Sequence, residues 1–200
     1  MNDPHIRLAT DQDTDQAYDI CRLTAAAGED GSHLYSDPRM AGYLHSAAYL
    51  KLEPGCAFVL DQGGRAVGYV IGTPDTAAFE ARMQRDWWPW VRAQTSAMTI
   101  SHPKDQMAAD RIAAPQTQAP EILAQYPAHL HINLLPQAQG GGWGRKMIET
   151  QLEHMRGLGV AGLHLGLDPN NHRAAAFYRH LGFIDISVSD QMVYGIRLQG

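Results

Sequence analysis

Gln139-Gly140-Gly141-Gly142-Trp143-Gly144 separates an alternating apolar stretch, residues 129–135, from a segment in which Met147, Ile148, Leu152 and Met155 recur at helical spacing. That pattern predicts a strand, a glycine loop and a helix. A loop nearly free of Cβ atoms lets a ligand touch the main chain. The first turn of the helix adds unpaired N–H groups and the positive end of its dipole. Such a turn can bind a pyrophosphate without net positive charge on the protein. Arg145 and Lys146 add charge at the rim. The loop has neither the Lys-Ser/Thr ending of a P-loop nor the spacing and acidic partner of a dinucleotide fingerprint.

Downstream the strand–helix pattern recurs: a strand over residues 162–167, a turn at Asp168-Pro169-Asn170, and a helix over 171–181 with Gly182 at its C-terminal cap. Residues 183–188 and 191–198 read as closing strands. Upstream, a strand over 5–10 precedes a helix carrying Ala17, Ile20, Cys21 and Thr24 on one face. After Gly28-Glu29-Asp30-Gly31 comes a second helical pattern with Met40, Tyr43, Leu44 and Ala47, ending before Pro54. Residues 56–61 and 65–72 form a hairpin through Gly63-Gly64. A helix is expected over 75–94. Pro103, Pro115, Pro120 and Pro127 leave little room for long regular structure over 95–127. Residues 74–127 are therefore read as an elaborated insertion in one domain spanning 1–200.

Two motifs in order carry a family resemblance. Pro136, Gln139, Gly142 and Gly144 resemble motif A of the GNAT superfamily of acetyltransferases, with its Q/R-x-x-G-x-G/A signature. Asn171, Ala174 and Tyr178, followed by Gly182-Phe183, resemble motif B. The carboxy-terminal half is similar, more narrowly, to the acetyltransferase-like domains found with some O-GlcNAcases and their free-standing bacterial relatives. The resemblance implies a mixed α/β fold with helices on both faces of a central, mostly antiparallel twisted sheet of about seven strands. It also implies a splay between two parallel strands and acetyl-CoA as co-substrate.

The implied site follows position by position. The backbone of Leu134 meets the pantetheine arm and polarises the thioester carbonyl. Leu135 and Gln139, Gly140, Gly141, Gly142, Trp143, Gly144 and Arg145 lead to and bind the pyrophosphate. Asn171 contacts the arm, and Tyr178 protonates the departing thiolate. Transfer is direct, to an amine, with no metal. Relatives often place an acidic base beside the splay, whereas this strand offers His129, His131 and Asn133 on one face. Asn133 cannot take a proton, and His131 lies nearer the thioester, so His131 is the candidate base, with an unperturbed pKa of about 6.5. A histidine held structurally in the sheet is the competing reading. Glu29, Asp30 and Tyr35 are acceptor-side candidates, while Trp87, Trp88 and Trp90 are expected to pack the insertion onto the core.

Bulk composition narrows the alternatives. Hydrophobic residues make up 44% of the chain and charged residues 18%, the balance of a folded globular protein. Sixteen basic and 21 acidic side chains leave a net charge of -5, which offers no overall field for nucleic acid or anionic lipid. Met1-Asn2-Asp3-Pro4-His5 does not resemble a signal peptide, and no apolar run is long enough to span a bilayer, so a cytoplasmic protein is expected. Cys21 and Cys56 lie in apolar segments and read as buried free thiols. Two other functions stay open: an inactive acetyltransferase-like module binding coenzyme A or a partner, and a regulator binding another phosphate ligand. The acceptor is unassigned, and a homodimer is compatible with the sequence.

Overall fold

In a computed structural model, residues 3–188 and 191–199 are described; Met1 and Asn2 of the amino-terminal stretch lie outside them. Seven strands form one sheet: β1 (His5–Leu8), β2 (Ala57–Gln62), β3 (Arg65–Thr73), β4 (Ala128–Leu134), β5 (Gly162–Leu167), β6 (Ile184–Asp185) and β7 (Met192–Arg197). Their order is β1-β2-β3-β4-β5-β7-β6. Every pairing is antiparallel except β4 with β5. The mixed α/β class and the mostly antiparallel sheet match the expectation. The last hairpin is shorter than expected, because β6 keeps two paired residues rather than spanning 183–188.

Alternating side chains send β3 into two cores. Tyr69 and Ile71 join the layer of α1 (Thr14–Arg22), α2 (Met40–His45) and α3 (Ala47–Leu52). Val70 joins the opposite layer, as does Val67 at the register shift opposite Leu60 and Asp61, and there Met147, Ile148 and Met155 supply the apolar stripe of the long helix after the glycine loop.

Three helical expectations change in the structure. The helix expected over 40–53 breaks between α2 and α3 at Ser46, whose φ of -137° lies outside the helical range while the residue is buried against the preceding helices. The helix expected over 75–94 divides into α4 (Thr76–Arg82), a π turn over Met83–Trp87, and α5 (Trp88–Thr95). Pro89 has no N–H to extend the ladder, so the hydrogen-bond spacing shifts just before it. Trp87, buried as expected, donates from Nε1 to the Tyr43 carbonyl at 3.0 Å and ties this segment to α2. The insertion also contains regular structure: α6 (Asp105–Ala113) and the short α7 (Pro120–Leu123).

Helix α6 owes its position to one buried carboxylate. Asp105 accepts N–H groups from Ser36 at 2.9 Å, Ser101 at 3.0 Å and His102 at 2.8 Å, linking the loop after α1 to the insertion. Burial pushes the Asp105 pKa up, but these backbone donors outweigh it and leave it at about 2. Asp105→Ala removes the acceptor from three donors. Bonds to a charged group are worth about 1.5–3 kcal/mol each, and a chain of this size loses about 2–4 °C per kcal/mol. Thermal unfolding at neutral pH should show a fall of at least about 5 °C. Because the folded pKa is depressed, this stabilisation is present above the unfolded value of about 3.9 and is lost as pH falls towards 2. The gap between wild type and variant should close over that range.

Candidate active site

The parallel pair β4–β5 is in register only at Ala128 with Leu163 and at His129 with His164, and the strands then diverge. Leu135 N–H donates to the Val67 carbonyl at 2.9 Å, which fixes the phase of the β3–β4 ladder. Antiparallel alternation then turns the main-chain groups of His129, His131 and Asn133 towards β3, and those of Leu130, Ile132 and Leu134 towards the gap. A cavity of about 660 Å³ occupies this splay.

Helix α8 (Trp143–Gly157) follows the glycine loop, whose shape depends on positive φ: +83° at Gly140 and +75° at Gly142, the N-cap. The first bond of the helix runs from Lys146 N–H to the Gly142 carbonyl at 3.1 Å. Among the described residues, the N–H groups of residues 140–145 have no protein acceptor. A Cβ at Gly140 or Gly142 would meet nothing within 4 Å, so both glycines border open space. Gly144 and Arg145 face the same cavity. Gln139 lines it too, and donates from Nε2 to the Leu134 carbonyl at 3.0 Å, joining loop to strand.

Across the cavity stands α9 (His172–His180). Tyr178 is 7% exposed, and its hydroxyl has no protein hydrogen-bond partner among the described residues although it lines the cavity. Burial pushes its pKa up, which keeps the phenol protonated as a donor. Asn171 is the N-cap, its Oδ1 accepting Ala174 N–H at 3.0 Å, and it also lines the cavity.

Three expected site residues, Leu135, Gly141 and Trp143, are not among those that line the cavity. Leu135 spends its N–H on Val67 and its carbonyl on Ala138 N–H at 2.8 Å. Gly141 lies against the Trp143 side chain, and the Trp143 ring packs under the Lys146 ammonium, 4.3 Å from the ring centroid.

The two strand histidines differ in their partners. His129 Nε2 lies 2.6 Å from the Tyr49 hydroxyl and Nδ1 lies 2.7 Å from Thr76 Oγ1. Thr76 Oγ1 is also 2.7 Å from the Pro127 carbonyl. Every group is satisfied if Tyr49 donates to Nε2, Nδ1–H donates to Thr76, and Thr76 donates to Pro127. His129 is therefore a structural histidine. His131 has no such partners among the described residues and faces the cavity, edge-on to Tyr49 with ring centroids 5.4 Å apart. Burial, then the Arg111 and His164 charges, lower its pKa to about 4, below the unperturbed value expected from sequence. It is neutral at physiological pH. Asn133 also lines the cavity, but its amide donates to Thr24 Oγ1, tying β4 to the end of α1.

On the acceptor side, Tyr35 lines the cavity, whereas Glu29 and Asp30 do not. The Asp30 carboxylate closes its own turn, accepting Ser32 N–H at 2.8 Å. His45, Lys104 and Met107 line the cavity unforeseen. They come from α2 and the insertion, and no local motif marks them. Among the described residues no group of three or more His, Cys, Asp or Glu is placed to hold a metal ion, and no helix is long and apolar enough to cross a membrane.

Strand splay, glycine turn and facing tyrosine define an acyl-transfer class of site. Residues 111–183 match the acetyltransferase (GNAT) family profile. The crystal structure of SsHAT is 39% identical, covers the whole of both chains and superposes with a TM-score of 0.91. The structure of yncA from Salmonella typhimurium with its cofactor acetyl-CoA is 13% identical over 100% of this chain and 96% of that one, with a TM-score of 0.59. Protein O-GlcNAcase of Rattus norvegicus is 24% identical over 187 residues, 91% of this chain and 20% of that protein. The chain thus spans about a fifth of the length of that curated relative. The chain belongs to the GNAT family of acetyltransferases.

Proposed function

We propose that the protein is an acetyl-CoA-dependent N-acetyltransferase that moves the acetyl group directly to an amine of a small-molecule or protein acceptor. One observation carries this reading: unpaired amides of the glycine turn, free backbone groups of a splayed strand and a buried, unpartnered phenol line a single cavity. Gly140, Gly142, Gly144 and Arg145, which line the cavity, fit a pyrophosphate, because their N–H groups lack acceptors and the two positive-φ glycines leave open space above them. Acetyl-CoA, when bound, supplies an acetyl thioester.

Leu134 N–H, facing the gap, is the donor for the thioester oxygen. As the amine nitrogen bonds to the acyl carbon and the carbon–sulfur bond breaks, Tyr178 gives its proton to sulfur. His131, neutral and without a protein partner, accepts the amine proton directly or through water. The test is thiol release from acetyl-CoA over a panel of primary amines. Release above the solvent rate is expected with at least one, and binding without release would favour the inactive module. That second reading has one observation behind it, the absence of any acid on β4 beside a histidine of low basicity.

The pH profile follows from the same pKa. A base whose pKa is lowered to about 4 is fully deprotonated above about pH 5, so its limb in kcat/KM lies near pH 4. A limb at higher pH then belongs to the acceptor amine. His131→Gln should lower kcat/KM by about 100-fold across the neutral range and leave that higher limb in place. Retained rate in the variant would assign deprotonation to solvent or to the acceptor's own ionisation.

A further inference from the structure

A second cavity of about 200 Å³ opens on the His131 face of the sheet, between β4 and the insertion. It shares Leu130, His131, Leu165 and Gly166 with the coenzyme cavity, so the two meet at the splay. Gly166 keeps this junction open, since a Cβ there would meet nothing within 4 Å. Its walls are polar as well as aromatic: Tyr49, Phe79 and Trp88 stand with Gln84, Gln116 and Gln118.

Two charged side chains face into it. Glu80 accepts Gln118 N–H at 2.9 Å, which anchors the segment after α6 to α4. Arg111 on α6 takes part in no ion pair or side-chain hydrogen bond among the described residues, although it lines the cavity. Its charge acts on His131, His45 and Tyr49, all around the junction, and lowers the pKa of each against the larger effect of burial on Tyr49. Lys104, at the start of the same helix, faces the coenzyme cavity. Helix α6 thus brings two cations to the acceptor side of a protein whose net charge is -5.

Resting on the acetyltransferase reading, we infer that the second cavity holds the far end of the acceptor, a small primary amine that also carries a carboxylate or phosphate bound by Arg111. The volume suits a short polar tail, being below the several hundred Å³ of pockets for drug-sized ligands. A guanidinium with no acidic partner gains a charge-assisted, bidentate contact when an anion arrives. Burial raises the Glu80 pKa and Gln118 occupies one of its oxygens, so it opposes an anion less than a free carboxylate would.

Matched pairs test the inference: β-alanine against n-propylamine for carboxylate, and O-phosphoethanolamine against ethanolamine for phosphate. Thiol release is measured with acetyl-CoA, and ligand-observed NMR follows binding to the coenzyme A-loaded protein. At least one anionic member should show a KM, or a Kd, about tenfold or more below that of its neutral partner. Arg111→Gln should abolish that preference, raising KM for the anionic amine with kcat and coenzyme A affinity retained. Anion-selective binding without thiol release would uphold the pocket while overturning the catalytic reading. Equal use of neutral and anionic amines, no binding of either anion, or a preference unchanged in Arg111→Gln would overturn the inference.

Discussion

Gly142→Asp should weaken coenzyme A binding by at least about 100-fold. The position has φ of +75°, a region that costs an L residue about 1–2 kcal/mol. The new carboxylate would enter open space above the unpaired amides and both occupy and repel the site of a pyrophosphate. Losing two charge-assisted hydrogen bonds at about 1.5–3 kcal/mol each exceeds the roughly 2.7 kcal/mol that corresponds to 100-fold. Gly142→Ala carries the strain without the charge and should lose about tenfold or less. Because no atom lies within 4 Å of the added Cβ, neither variant should disturb the core. Titration calorimetry with coenzyme A decides the matter, and an unchanged Kd in Gly142→Asp would move the pyrophosphate away from this loop.

Tyr178→Phe should lower kcat by about 100- to 10,000-fold, the usual contribution of a positioned acid, while leaving coenzyme A affinity within about twofold. The hydroxyl has no protein partner among the described residues, so its removal breaks no structural bond. The ring still packs against Phe177 and Phe183, with centroids 5.3 and 5.5 Å away. Thermal unfolding should therefore change little. A tyrosine of purely structural use would give the opposite pattern, with altered stability and an undiminished kcat.

The glycine turn was legible because its cause is local. Gln139 to Gly144 need only their missing Cβ atoms and the helix that follows, both set by adjacent residues. Strand alternation by itself likewise puts His129, His131 and Asn133 on one face of β4. The motif B tyrosine and the order of the carboxy-terminal elements belong to the same short-range grammar. At Asn171 the structure adds a local role, since its side-chain oxygen caps α9 while the residue also lines the cavity.

Packing decided the rest. Only tertiary structure separates His131 from His129, because the partners that occupy His129, Tyr49 and Thr76, arrive from α3 and α4, far along the chain. Only the ladder with β3 shows that Leu134 turns its main chain to the gap while Leu135 spends its own on Val67 and Ala138. The acceptor side was least legible of all: α6 forms where prolines and polar residues gave no regular pattern, and a buried Asp105 holds it through donors from two separate loops. A glycine turn acts through neighbouring bonds and can be read along the chain, whereas the charge beside an imidazole depends on which distant segment the core brings against it.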